Sequence, residues 1–166
     1  MYVFSNETIV GGPYDSTSVV ETVNGFPRGN NAVDSAFVAS MIDSLITGGI
    51  VGDGFSVSAG GGLGVTVSPG VAWGKGRMTR LDAAKRYELV AGSTFSFVIR
   101  FDAFDNASKL VVISDSAPFT PLRTESTFDL VIASVSVPAG AVAVTASMIT
   151  DRRQDSSCCG SVTSKI

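Results

Sequence analysis

The chain has 166 residues, 45% of them hydrophobic and 16% charged, with a net charge of −3. So apolar a chain is not disordered, and its length suffices for one core, or one core with an arm. An acidic balance with scattered basic residues argues against nucleic-acid binding, which needs a basic face, and no run nears the roughly 18 apolar residues of a membrane span.

Residues 1–30 are polar and rich in breakers: Gly11-Gly12-Pro13, Asn24-Gly25 and Pro27-Arg28-Gly29-Asn30. They predict an extended docking arm with one or two short strands. The first residues, Met1-Tyr2-Val3-Phe4-Ser5, lack the basic and apolar regions of a secretory signal. Residues 32–47 predict one amphipathic helix. Val33, Phe37, Met41 and Leu45 recur every fourth residue, with Val38, Ile42 and Ile46 beside them. Asn31 suits the N-cap, Asp34 the positive end of the dipole, and Gly48-Gly49 the C-terminal stop. The stripe must lie on a sheet or on a neighbouring subunit, so Val33, Phe37, Met41 and Leu45 form the candidate assembly interface.

From residue 50 the period becomes that of strands. Residues 55–59 alternate, Gly60-Gly61-Gly62 turns the chain, and residues 64–67 return. Ser68-Pro69-Gly70 turns again before Val71-Ala72-Trp73. Residues 94–102 set Phe95, Phe97, Ile99 and Phe101 against Ser96, Val98, Arg100 and Asp102. Further strands are expected at 109–113, 128–137 and 142–145. The segment 114–128, with Pro118 and Pro121, is expected to cross from one sheet to the other. The predicted fold is mainly β: an antiparallel β-sandwich or barrel-like domain, preceded by one amphipathic α-helix and an extended N-terminal arm. The parts are an arm at 1–30, helix and connector at 31–52, and a β domain at 53–166.

Chemistry is poorly provided for. Histidine is absent, which removes the commonest general base and zinc ligand. Cys158 and Cys159 are adjacent and read as buried or interfacial small residues, since two thiolates on one short segment make no tetrahedral site. Gly60-Gly61-Gly62-Leu63-Gly64 is followed by Val65-Thr66-Val67 rather than the lysine and hydroxyl of a phosphate loop, so it predicts a hairpin. Glu88, Asp102, Asp105, Glu125 and Asp129 offer carboxylates, but no spacing selects a glycosidase pair. Trp73, with Phe95, Phe97, Phe101 and Phe128, reads as core. The dense run Asp151-Arg152-Arg153-Gln154-Asp155 predicts a local salt-bridge set, with Asp151, Arg153 and Asp155 pinning a terminal segment. The chain is thus expected to act without catalysis, cofactor or metal.

Several segments occur in an order that resembles a family of minor structural proteins from bacteriophage tails and baseplates. They are a glycine-ended helix at 36–49, the pair of strands at 65–73, and Phe97-Val98-Ile99-Arg100-Phe101-Asp102. A proline-containing loop leads to residues 128–140, and Ile149-Thr150-Asp151-Arg152-Arg153-Gln154-Asp155 precedes Cys159-Gly160. The likeness spans about residues 36–163. It implies a virion component of the tail tip or baseplate, made in the host bacterial cytoplasm. It also implies homo-oligomers, possibly trimers, among other tail proteins; no nucleic acid and no membrane insertion are expected from the composition. Longer relatives continue past the Cys-Gly segment into a fibre or receptor-binding part, so the ending at Ile166 favours an adaptor or fibre anchor. The alternatives are a receptor- or carbohydrate-binding module of the tail tip and a capsid-decorating or head-fibre protein.

Overall fold

The computed structural model describes residues 21–23, 26–28, 35–103, 107–115 and 119–166. A hairpin, β1 (Glu21–Val23) and β2 (Phe26–Arg28), precedes the one α-helix among these residues, α1 (Ser35–Leu45). Then come β3 (Gly49–Val51), β4 (Val57–Ala59), β5 (Gly64–Val67), β6 (Gly70–Gly74), β7 (Arg77–Leu81) and β8 (Lys85–Glu88). Three long strands follow, β9 (Ser93–Asp102), β10 (Ala107–Asp115) and β11 (Thr127–Val137), and last β12 (Ile149–Asp151). Besides the hairpin there are three antiparallel sheets, ordered β10-β9-β11-β12, β3-β6-β7 and β4-β5-β8. The expected mainly-β antiparallel architecture with one helix is what the chain adopts. Most of the expected arm, including residues 1–20, lies outside the described residues.

Alternation explains the centre of the molecule. On β9 the side chains of Phe95, Phe97, Ile99 and Phe101 share one face and are all buried. Burying each such side chain contributes roughly 1.5–3 kcal/mol. That face packs toward the smaller sheets: Tyr87 of β8 meets the Phe97 ring edge-on at 5.6 Å, and a Cβ on Gly74 of β6 would collide with the Phe101 ring. The opposite face is covered too, since Ser96 and Val98 are buried. β11 follows β9 in register until Val131, opposite Val98. Ile132 is then an inserted residue, because Ala133 pairs with Phe97.

The second edge of β11 is covered by three successive pieces of chain. Asp129 N–H donates to the Leu122 carbonyl, Val131 N–H to the Cys158 carbonyl, and β12 pairs at residues 133–135. The segment after β10 therefore does not cross between sheets as expected. β10 and β11 flank β9 in one sheet, and the returning chain runs beside β11. Residues 142–145 are likewise not a strand. Val142 is exposed, and Val144 is buried with its N–H bound to the Gly62 carbonyl of the glycine hairpin.

Four strands escaped the sequence reading: β3, β7, β8 and β12. β7 forms a hairpin with the expected β6 through the two-residue turn Lys75-Gly76, both at positive φ (52° and 68°), which is a type I′ turn. Trp73 also departs from expectation. Its neighbours Ala72 and Gly74 point inward, so period two turns the indole to the outer face, opposite Met78.

Candidate functional site

Among the described side chains of α1, the contact with the β body lies on the side of Ala39. Ala39 is buried, and its carbonyl lies against Gly76 so closely that a Cβ there would clash with it. The expected stop at Gly48-Gly49 is not what caps the helix. α1 ends at Leu45, whose carbonyl accepts from Lys165 N–H at 2.8 Å in the C-terminal tail. That tail continues the fastening. Thr47 N–H donates to the Thr163 carbonyl, Thr163 N–H returns to Thr47 Oγ1 at 2.8 Å, and Ile50 bridges Ser161. Gly48 is occupied otherwise, wedged against the Phe128 ring.

The other side of the helix presents apolar surface. Met41 is 47% exposed and Leu45 41%, four residues apart on the same face. Val33 lies outside the described residues, and Phe37 is in α1 with its side chain outside them. On β7, the strand that α1 touches, Met78 is 52% exposed opposite the partly exposed Trp73. The sequence reading missed this pair. The inward pattern of Ala72 and Gly74 carried the signal.

The acidic-basic run near the C-terminus forms two separate pairs. Arg153 grips Asp151 through Nε and Nη2, at 3.0 and 2.6 Å, and its Nη1 donates to the carbonyls of Asp53 and Gly54 at 2.7 and 3.1 Å. Arg152 pairs with Asp155 at 2.8 Å, and Asp155 also accepts from Ser157. Hydrogen bonding from Arg153 holds the Asp151 carboxyl below its usual range. Bonds from Ser157 do the same for Asp155. Arg153 thus ties residues 151–153 to the 52–55 corner. There Phe55 is buried at a positive φ of 58°, with its backbone against Gly70.

Deeper in, Asp129 is fully buried. It accepts from Arg100 Nε at 2.8 Å and Nη2 at 2.9 Å, and from Leu122 N–H at 3.0 Å. This carboxylate is therefore committed to structure. Glu88 pairs with Arg86, which also donates to the carbonyls of Gly60 and Gly61 and so braces the glycine hairpin. Glu125 is exposed, and Asp105 lies outside the described residues. Both thiols are buried and free. Burial raises the Cys158 pKa, and burial together with the neighbouring Cys158 pushes Cys159 up to about 12. At one end of the large sheet an open hollow of about 660 Å³ is lined by Ser93, Thr94, Ser114 and Ser136 with Pro138 and Ala139. No helix among the described residues is long and apolar enough to cross a membrane.

No family model, curated protein or solved structure matches the chain.

Proposed function

We propose that the chain is a structural component of a bacteriophage virion, an adaptor or anchor for fibres or receptor-binding proteins at the tail tip or baseplate. In this reading it acts through assembly, with no catalytic step and no cofactor. Its partners are other tail proteins and further copies of itself. The support from sequence is the resemblance in segment order over about residues 36–163. The observation that carries the reading is the one-sided helix: Ala39 locks α1 to the body, while Met41 and Leu45 stay exposed. Exposed apolar pairs on a chain with so little charge mark surfaces that a neighbour covers.

The test is incorporation. Met41→Glu with Leu45→Glu is expected to leave the thermal midpoint within about 2 °C, since both side chains are substantially exposed. The same variant is expected to drop out of assembled tails. Deleting residues 1–30 is expected to do likewise while the β domain keeps its circular dichroism spectrum. Normal incorporation of both variants contradicts the reading.

The hydroxyl-lined hollow favours a second reading, a receptor- or carbohydrate-binding module of the tail tip. It requires binding of the purified chain to host cell-wall polysaccharide, lost on Ser136→Leu. A capsid-decorating role instead requires that tail-free capsids retain the chain.

A further inference from the structure

β10 is the outermost strand of the four-stranded sheet, and its only strand partner among the described residues is β9. It spans nine residues, against five for β7, the next longest edge strand. Its register with β9 runs unbroken from Ala107 to Asp115, so no bulge bends it away. It contains no proline and one lysine, and Leu110, Val111, Val112 and Ile113 are all partly exposed. Proteins normally blunt such an edge, because its unpaired N–H and C=O groups invite another strand. β7 approaches β10 without pairing; a cleft of about 260 Å³, lined by Thr79, Leu81, Ser108 and Leu110 among others, separates them.

We infer that this edge pairs with β10 of a second copy, antiparallel about Val112, joining two four-stranded sheets into one of eight strands. The sequence of β10 selects both the occupant and the register. With Val112 opposite its own copy, Val111 lies across from Ile113, and the basic Lys109 lies across from the acidic Asp115. Each pairing occurs twice by the two-fold symmetry. Val112 faces the buried side, as its pairing with Phe97 requires, and Lys109, Val111 and Ile113 face the other. Opposite charges and β-branched pairs across strands are the contacts that stabilise such ladders. A shift of one residue, centring the pair on Val111, sets Lys109 across from Ile113 and loses the charge match. The inference stands on the sheet edge alone and does not depend on the virion reading.

The test uses the full chain. Sedimentation equilibrium is expected to show a dimer. Lys109→Asp is expected to raise its dissociation constant at least tenfold, and Lys109→Asp with Asp115→Lys to restore it to within about threefold. Val112→Cys adds one thiol at the two-fold axis of a chain whose own cysteines are buried. Mild oxidation is expected to give a covalent dimer, bridged between the two introduced thiols, in that variant and none in Met78→Cys, an exposed position on another sheet. A monomer at 200 μM (a concentration chosen to reveal weak pairing of order 10⁻⁴ M), failure of the double variant to restore pairing, or equal cross-linking in the Met78→Cys control overturns the proposal. So does an oligomer lost on Met41→Glu with Leu45→Glu but indifferent to residues 109 and 115, an outcome that leaves the assembly reading standing.

Discussion

Replacing Asp129 by leucine removes a buried carboxylate that accepts three hydrogen bonds, two from Arg100 and one from the Leu122 backbone. Bonds to a charged group contribute about 1.5–3 kcal/mol each, so three at the low end of that range sum to about 4–5 kcal/mol before any rehydration offsets the loss. Arg100 is 27% exposed and regains some hydration when unpaired, whereas Asp129 itself has no exposed surface. The expected cost is therefore about 3 kcal/mol, a fall of roughly 6–12 °C in the thermal midpoint of a chain of this size. Arg100→Leu alone strands the carboxylate and is expected to cost at least as much. The double variant removes both charges and leaves only the Leu122 N–H without its acceptor. It is expected to be more stable than either single variant, because apolar replacement of a whole buried pair is often near neutral. Urea and thermal unfolding followed by circular dichroism measure all four corners of the cycle. A single-variant shift under about 2 °C, or a double variant that sums the two single losses, refutes the reasoning.

Gly76→Ala is expected to cost about 1–3 kcal/mol for its left-handed backbone alone. The collision with the Ala39 carbonyl adds to this, so hydrogen exchange should accelerate first in the helix. Native protein is expected to react with a thiol reagent at pH 8 in under about a tenth of its thiols within minutes, since burial keeps both cysteines protonated, and in both thiols once unfolded. Asp151→Asn is expected to lower stability at pH 7 by under about 1 kcal/mol, because the carboxylate is half exposed. The Asp151 pKa is lowered in the folded chain, so its contribution is complete above about pH 5. It fades as pH falls below about 4 toward the folded value, and wild type and variant converge in acid.

The long strands were legible because their alternation is strong. Phe95, Phe97, Ile99 and Phe101 on β9, and the apolar run of β11, carry most of the core. β7 and β8 were not, because Arg77, Arg80, Lys85, Arg86 and Glu88 make them read as surface loops. Lys-Gly is also a less telling type I′ turn pair than Asn-Gly. Trp73 was grouped with the alternating core phenylalanines as a strand residue, whereas its immediate neighbours fix its side of the sheet. The helix stripe was visible at Met41 and Leu45, but which of its sides meets the body depended on a contact with Gly76 that no local pattern encodes. The tail was the least legible. Its ties to residues 45–50 and 53–54 span about a hundred residues of chain.

Imaging of the assembled phage tail at side-chain resolution addresses the assembly account most directly. The expected density shows this chain in symmetric copies at the tail tip, with Met41 and Leu45 under a neighbouring chain. A particle that lacks the chain, or that holds it with both side chains open to solvent, contradicts the account.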